Sequence, residues 1–235
     1  MIRSVQRFLP VLMTAIAFVS CEVEDPGPLQ DDRKEFTVID FDRLEMGSAL
    51  HIEVVQGNTF RVMARGDRRN INDLEVFKQG TTLVVRFDEN TGRRHDTFVT
   101  ITMPELVAAN FSGASVSTVE GFESDGALTL YLSGASVAQL DAGYRQLEVV
   151  VSGASSLMLH GLGDELDGEI SGSSVLSAFD YPVREATLNV SGSSNGKVTV
   201  TDALKATATG ASAILYRGNP SVVEQVSGGS SVIKY

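Results

Sequence analysis

The tetrad Ser133-Gly134-Ala135-Ser136 returns with small substitutions at Ser112, Ser152, Ser171, Ser191, Thr209 and Ser227. Serine beside glycine raises the question of nucleophilic catalysis. A serine nucleophile needs a base and an orienting acid on one copy, and is often displayed on a Gly-x-Ser-x-Gly elbow. Gly113-Ala114-Ser115-Val116-Ser117 lacks the final glycine, and His51, His95 and His160 stand in different segments. Seven copies of one nucleophile also serve no single centre, so the serines read as structural and no catalytic residue is expected. Metal chemistry has no better footing: there is no cysteine pair, no His-x3-His and no Asp-x-Asp-x-Asp-Gly loop. Neither a metal nor another cofactor is expected. The acids Asp125, Asp141, Asp164, Glu165, Asp167, Asp180 and Asp202 recur between tetrads and read as the solvated second corner of a repeat. A groove lined by them is the one route to an enzyme acting on extracellular glycans.

The elements that would carry these groups are short strands. FTVIDF, ALHIEVV, TFRVMA, LEVF, TLVVRF and TFVTITM are β-branched or alternating and are divided by turn signals. Arg65 to Phe77 is the exception, where a helical turn or an irregular loop is expected. Its Arg65-Gly66-Asp67 spells a receptor-recognition tripeptide that chance produces often. From Pro104 onward the pattern becomes periodic. Glycines fall at Gly113, Gly134, Gly153, Gly172, Gly192, Gly210 and Gly228, at spacings of 21, 19, 19, 20, 18 and 18. Such a period marks a solenoid with one repeat per coil. The residue before each tetrad is apolar: Phe111, Leu132, Val151, Ile170, Val190, Ala208 and Val226. A half-buried strand therefore enters each turn, and a second strand leaves it towards a turn at Gly121, Gly143, Gly161 or Gly218. Coils stack about 4.8 Å apart, so each corner must tolerate a copy of itself above and below. Glycine supplies φ > 0 there, and small hydroxyls cap turn amides or run as a ladder from coil to coil.

The first 20 residues read as an export signal: arginines at 3 and 7, then the apolar run FLPVLMTAIAFV, then Ser20. The only cysteine, Cys21, follows in Phe18-Val19-Ser20-Cys21, which resembles a lipobox and makes Cys21 the expected site of lipid attachment. Residues 21–35 are acidic and carry Pro26 and Pro28, the composition of an extended tether. Without residues 1–20, 17 basic side chains face 30 acidic ones, a net charge of −13. A phosphate backbone is repelled by that charge, so no nucleic-acid partner is expected. Arg65, Arg68 and Arg69, and likewise Arg93, Arg94 and His95, read as solvated loops.

The lipobox, the FTVIDF opening, the TITMPEL segment from Thr100 to Leu106 and the SGAS-type tetrads together resemble the auto-transporter adhesin head GIN domain family of Bacteroidetes. The resemblance covers Phe36 to Tyr235. It implies an all-β, right-handed β-solenoid without catalytic residues, and an adhesive role. Asn195-Gly196 and Gly168 stand where the repeats otherwise carry apolar residues. The organisation expected is a signal over 1–20, a tether over 21–35 and a solenoid over 36–235, with irregular strands over 36–105 and regular repeats over 106–235. The function expected is a non-enzymatic outer-membrane lipoprotein, a surface adhesin with a glycan or protein ligand. A periplasm-facing scaffold is the alternative. The C-terminal SVIKY follows the last tetrad with no evident polar cap, so a homo-oligomer joined end to end is also expected.

Overall fold

The computed structural model describes residues 27–88 and 95–235, so Cys21, the expected signal and the start of the expected tether lie outside the described residues. The N-terminal part holds β1 (Asp31–Phe36), β2 (Arg43–Met46), β3 (His51–Gln56), β4 (Arg61–Asp67), α1 (Arg68–Asn72), β5 (Leu74–Gln79), β6 (Thr82–Phe87) and β7 (Thr97–Met103). The repeats hold β8 (Ala108–Phe111), β9 (Val116–Leu132), β10 (Val137–Val151), β11 (Ser156–Leu162), β12 (Glu165–Ile170) and β13 (Val175–Val190). They end in β14 (Asn195–Ala208), β15 (Ala213–Arg217), β16 (Ser221–Val226) and β17 (Ser231–Lys234).

These strands wind into a β-solenoid with two faces. The leading face runs into the tetrad turns: β6, β2, β8, the second halves of β9 and β10, β12, then β13, β14 and β16, all in parallel register. The trailing face leaves them: β7, β3, the first halves of β9 and β10, β11, then β13, β14, β15 and β17. Alternation sets burial. Along β10, Ala138, Leu140, Leu147, Val149 and Val151 point into the core, while Val137, Asp141 and Glu148 point out. The apolar residue before each tetrad is buried from Phe111 to Ala208.

The second corner differs from the expected turn. β9, β10, β13 and β14 run through it as bent continuous strands, absorbing the corner in register shifts such as those between Asp141 and Gly143 and between Tyr144 and Gln146. Bulges bend a strand without abandoning its ladder, so no separate loop is needed. Tyr144 and Tyr181 fill this corner. The Tyr144 N–H donates to the Tyr181 hydroxyl (3.2 Å), which donates to the Tyr144 carbonyl (3.1 Å), and the Tyr144 hydroxyl donates to the Leu106 carbonyl (2.9 Å). Burial pushes both phenols above their ordinary pKa.

The N-terminal region holds a coil that the tetrad period does not reveal. Arg43–Met46 pairs with Ala108–Phe111 and His51–Val55 with Val116–Glu120, so Gly47-Ser48-Ala49-Leu50 stacks on Ser112 to Ser115 as a further turn. Its spelling differs, and the 65 residues separating Ser48 from Gly113 hide it from a period near 20. The opening strand also moves. FTVIDF is not a strand; β1 takes DDRKEF instead, inside the stretch expected as tether, and pairs antiparallel with β4. Asp40 at φ 60° breaks the extended path after Val38, and an edge strand presenting mostly to water accepts charged residues. The helical turn expected between Arg65 and Phe77 is α1, whose N-cap Asp67 accepts from the Arg69 N–H.

At the opposite end the last coil is not apolar. Glu224 stands in register with Ala206, Leu188, Gly168 and Val149, and Lys234 with Tyr216, Val198 and Ala178. Both charges thus occupy core-facing positions of the terminal coil, and the Lys234 Nζ donates to Asn219 Oδ1 (2.6 Å). The end expected to lack a polar cap has one. A further layer stacked on it would bury these charges, a recognised guard on sheet edges.

Candidate functional site

The tetrads form one ridge along the molecule, and the closing serine of each, from Ser115 to Ser212, faces inward. Ser115, Ser136, Ser155, Ser174 and Ser194 are buried. The Ser136 N–H donates to Ser155 Oγ, Ser155 N–H to Ser174 Oγ and Ser174 N–H to Ser194 Oγ, at 3.2–3.3 Å. Each hydroxyl satisfies an amide that the turn would otherwise orphan in the core. The copy Gly192-Ser193-Ser194-Asn195-Gly196 does fit the nucleophile-elbow spelling, yet Ser194 is enclosed in this ladder. The glycines are required twice over. Gly153 has φ 77°, and a Cβ there would lie 2.5 Å from the Gly134 carbonyl oxygen, to which the Ala154 N–H donates (3.0 Å). All seven tetrad glycines have positive φ.

The three arginines of the Arg65 to Arg69 region do not form a free basic loop. Asp67 is fully buried and accepts from Arg69 Nε (2.7 Å), Arg69 Nη2 (2.7 Å) and the Gln30 N–H (3.0 Å). The Arg69 side chain holds its carboxyl well below the usual range, against the opposing effect of burial. Arg65 Nε meets Asp31 Oδ1 at 3.3 Å, and Arg68 donates to Gln30. The cluster is a clasp that pins the start of β1 to β4. A receptor cannot reach Asp67 through its side chain, so the tripeptide is structural. Arg93 and Arg94 lie outside the described residues, and His95 Nε2 meets the Gly27 carbonyl at 3.1 Å.

The acids separate by face. Glu165 and Asp167 lie on the leading face with Glu148, Glu169 and Glu185, all exposed, and not at the second corner. Asp125 and Asp164 do line the corner, with Glu123 and Arg145, in a groove of about 420 Å³ above Tyr144. Asp202 pairs with Arg184 (3.1 Å), and Asp180 lies 3.9 Å from His160. Among the described residues no group of three or more His, Cys, Asp or Glu side chains is arranged to hold a metal.

The trailing face has a different character. Register aligns two rows of outward side chains across β4, β7, β3, β9 and β10. One row is Arg65, Phe98, His51, Val116 and Val137; the other is Met63, Thr100, Glu53, Thr118 and Gln139. Phe98, Val116 and Val137 are 47%, 43% and 41% exposed, large values for apolar side chains on one continuous strip. The His51 and Phe98 rings stack at 4.9 Å with 33° between planes. Several polar groups of the strip have neighbours in place. Thr100 Oγ1 donates to Glu53 Oε2 (3.2 Å), His51 lies 3.8 Å from Asp96, and Arg65 pairs with Asp31. Between the rows lies a hollow of about 440 Å³. Strand alternation marked these residues as outward in the sequence; their alignment across five strands needed the register.

Solved structures share this fold. A putative adhesin from Bacteroides fragilis aligns at 18% identity with a TM-score of 0.71, covering 87% of this chain and 93% of that one. A putative adhesin from Parabacteroides distasonis aligns at 19% identity and TM-score 0.73, covering 89% and 98%. A putative lipid binding protein from Parabacteroides distasonis aligns at 19% identity and TM-score 0.70, covering 88% and 97%. No protein of curated function matches the chain. The family profile described as putative auto-transporter adhesin, head GIN domain, matches residues 40–220, and the chain belongs to that family.

Proposed function

We propose that this protein is a non-enzymatic envelope lipoprotein, anchored in the outer membrane through Cys21, that displays its solenoid at the cell surface as an adhesin. The observation that carries the reading is the division between faces. The leading face is studded with carboxylates at Glu148, Glu165, Asp167, Glu169 and Glu185, whereas the trailing face presents a strip of exposed apolar and hydroxyl side chains in which Glu53 is the one carboxylate of the two rows. Family membership supports an adhesive role, and the leader with Cys21 supports lipid anchoring. Binding uses the trailing face, while the acidic face keeps the molecule solvated and repels anionic polymers.

Intact cells treated with a protease that cannot cross the outer membrane provide the test. Loss of the solenoid from intact cells is the expected result, together with release from membranes on Cys21→Ala. A solenoid that survives until the outer membrane is opened overturns surface display and leaves a periplasm-facing scaffold in its place.

A further inference from the structure

We infer that the strip between the Phe98 row and the Thr100 row is a binding site for neutral carbohydrate; the inference rests on the adhesive reading and names its ligand class. A pyranose ring has an apolar C–H face and a rim of hydroxyls. The strip has the matching layout. Phe98, His51, Val116 and Val137 offer apolar surface, and two residues further along each strand Thr100, Glu53, Thr118 and Gln139 offer hydrogen-bonding groups. The rows therefore run parallel, about 6.6 Å apart, for roughly 19 Å across five strands. That is the outline of a short oligosaccharide lying along the solenoid axis.

Electrostatics selects the class within carbohydrates. Arg65 is held by Asp31 and His51 lies beside Asp96, so the strip keeps no unanswered cation for a carboxylate, sulfate or phosphate. Glu53 receives one hydrogen bond from Thr100 and retains further acceptor capacity for ligand hydroxyls. An anionic glycan would meet Glu53 and the net negative chain; a neutral one meets neither penalty. The hollow of about 440 Å³ lies within the range of small-ligand sites. His51 against one side of Phe98 fixes the ring and leaves it 47% exposed. A stiff aromatic surface of this kind loses little side-chain freedom on binding.

The test uses the full chain, extracted in detergent, on a printed array. The array carries neutral oligosaccharides (glucose, galactose, mannose and N-acetylhexosamine types), acidic ones (uronate, sialylated and sulfated) and unglycosylated protein spots. Neutral spots should bind. Phe98→Ala and Glu53→Ala should each weaken that binding about tenfold or more, while Glu148→Gln on the opposite face leaves it unchanged. Both altered side chains point outward, so unchanged thermal unfolding separates a lost contact from a lost fold. No carbohydrate binding, a preference for acidic spots, capture by unglycosylated protein alone, or neutral binding that survives both substitutions each overturns the inference. Because the array does not depend on where the protein sits in the cell, its failure is distinct from a failure of the protease test of surface display.

Discussion

Removing the two charges of the last coil should promote self-association through that end. Glu224→Ala and Lys234→Val together reproduce Ala206 and Val198, the residues that earlier coils carry at those register positions. The open edge comprises the six residues of β16 and the four of β17. Alternate residues of an edge strand turn their N–H and C=O outward, so roughly five residues per copy offer a ladder. At about 1 kcal/mol net per bond this amounts to roughly 5–10 kcal/mol for two ends meeting, before association costs. Val226 and Ile233, each about half exposed, add apolar area. In the natural protein the same joint must desolvate Glu224 and Lys234 from each copy, at several kcal/mol per ion, which outweighs the ladder. The double variant should associate with a Kd between micromolar and millimolar, equivalent to about 4–8 kcal/mol. Either single variant leaves one charge without an answer and should not associate through this end. Sedimentation velocity across a concentration series reads the result. A double variant that remains monomeric at about 1 mM, or a natural protein that already associates through this end, would refute the capping argument.

Three smaller perturbations probe the ridge, the core and the clasp. Gly153→Ala and Gly80→Ala both place alanine at positive φ, but only Gly153 also faces a carbonyl, since nothing lies within 4 Å of a Cβ at Gly80. Gly80→Ala should cost the left-handed strain alone, about 1–2 kcal/mol, and Gly153→Ala clearly more; equal costs in denaturant unfolding would remove crowding as a reason for the repeated glycine. At Gly168, a Cβ would lie 2.7 Å from Leu188 Cδ2, so Gly168→Ala should overpack the core by about 1–3 kcal/mol despite its larger apolar side chain; a neutral or stabilising effect would contradict the packing. Asp67 has a folded-state pKa below its unfolded value, so its contribution is present above the unfolded value near about 3.9 and is lost as pH falls towards the folded value. Stability should therefore decline on acidification below about pH 4. Asp67→Asn should flatten that part of the profile and loosen β1 in hydrogen exchange; an unchanged acid limb with protected β1 amides would count against the clasp.

The periodic part of the fold was legible because every coil must satisfy the same constraints as its neighbours. Stacking repeats one environment, and a repeated environment selects repeated residues: glycine at positive φ, small hydroxyls beside it and an apolar residue before it. That was enough to read an all-β solenoid and a structural role for the serines. It was not enough for places where sequence distance and spatial distance part. Gly47 to Leu50 completes a coil with Ser112 to Ser115, but Leu50 fills the position where later turns bury serine, so no spelling links them. DDRKEF reads as tether by composition; only the free edge of β4 and the buried Asp67 make it a strand. Val38 and Ile39 have the β-branched shape of a strand, yet no partner lies beside them in register.

The candidate binding strip divides in the same way. Which side chains point outward follows from alternation, because a strand alternates whatever its neighbours, and the net charge and the small corners are equally plain in the chain. Which outward residues share a row was decided by the tertiary structure alone. Phe98 pairs with His51 across 47 residues and His51 with Val116 across 65, through parallel pairings that no local pattern encodes. The charges of the last coil follow the same rule. Glu224 and Lys234 are ordinary polar residues in the chain, and they become a cap because winding carries them to positions that every earlier coil fills with core.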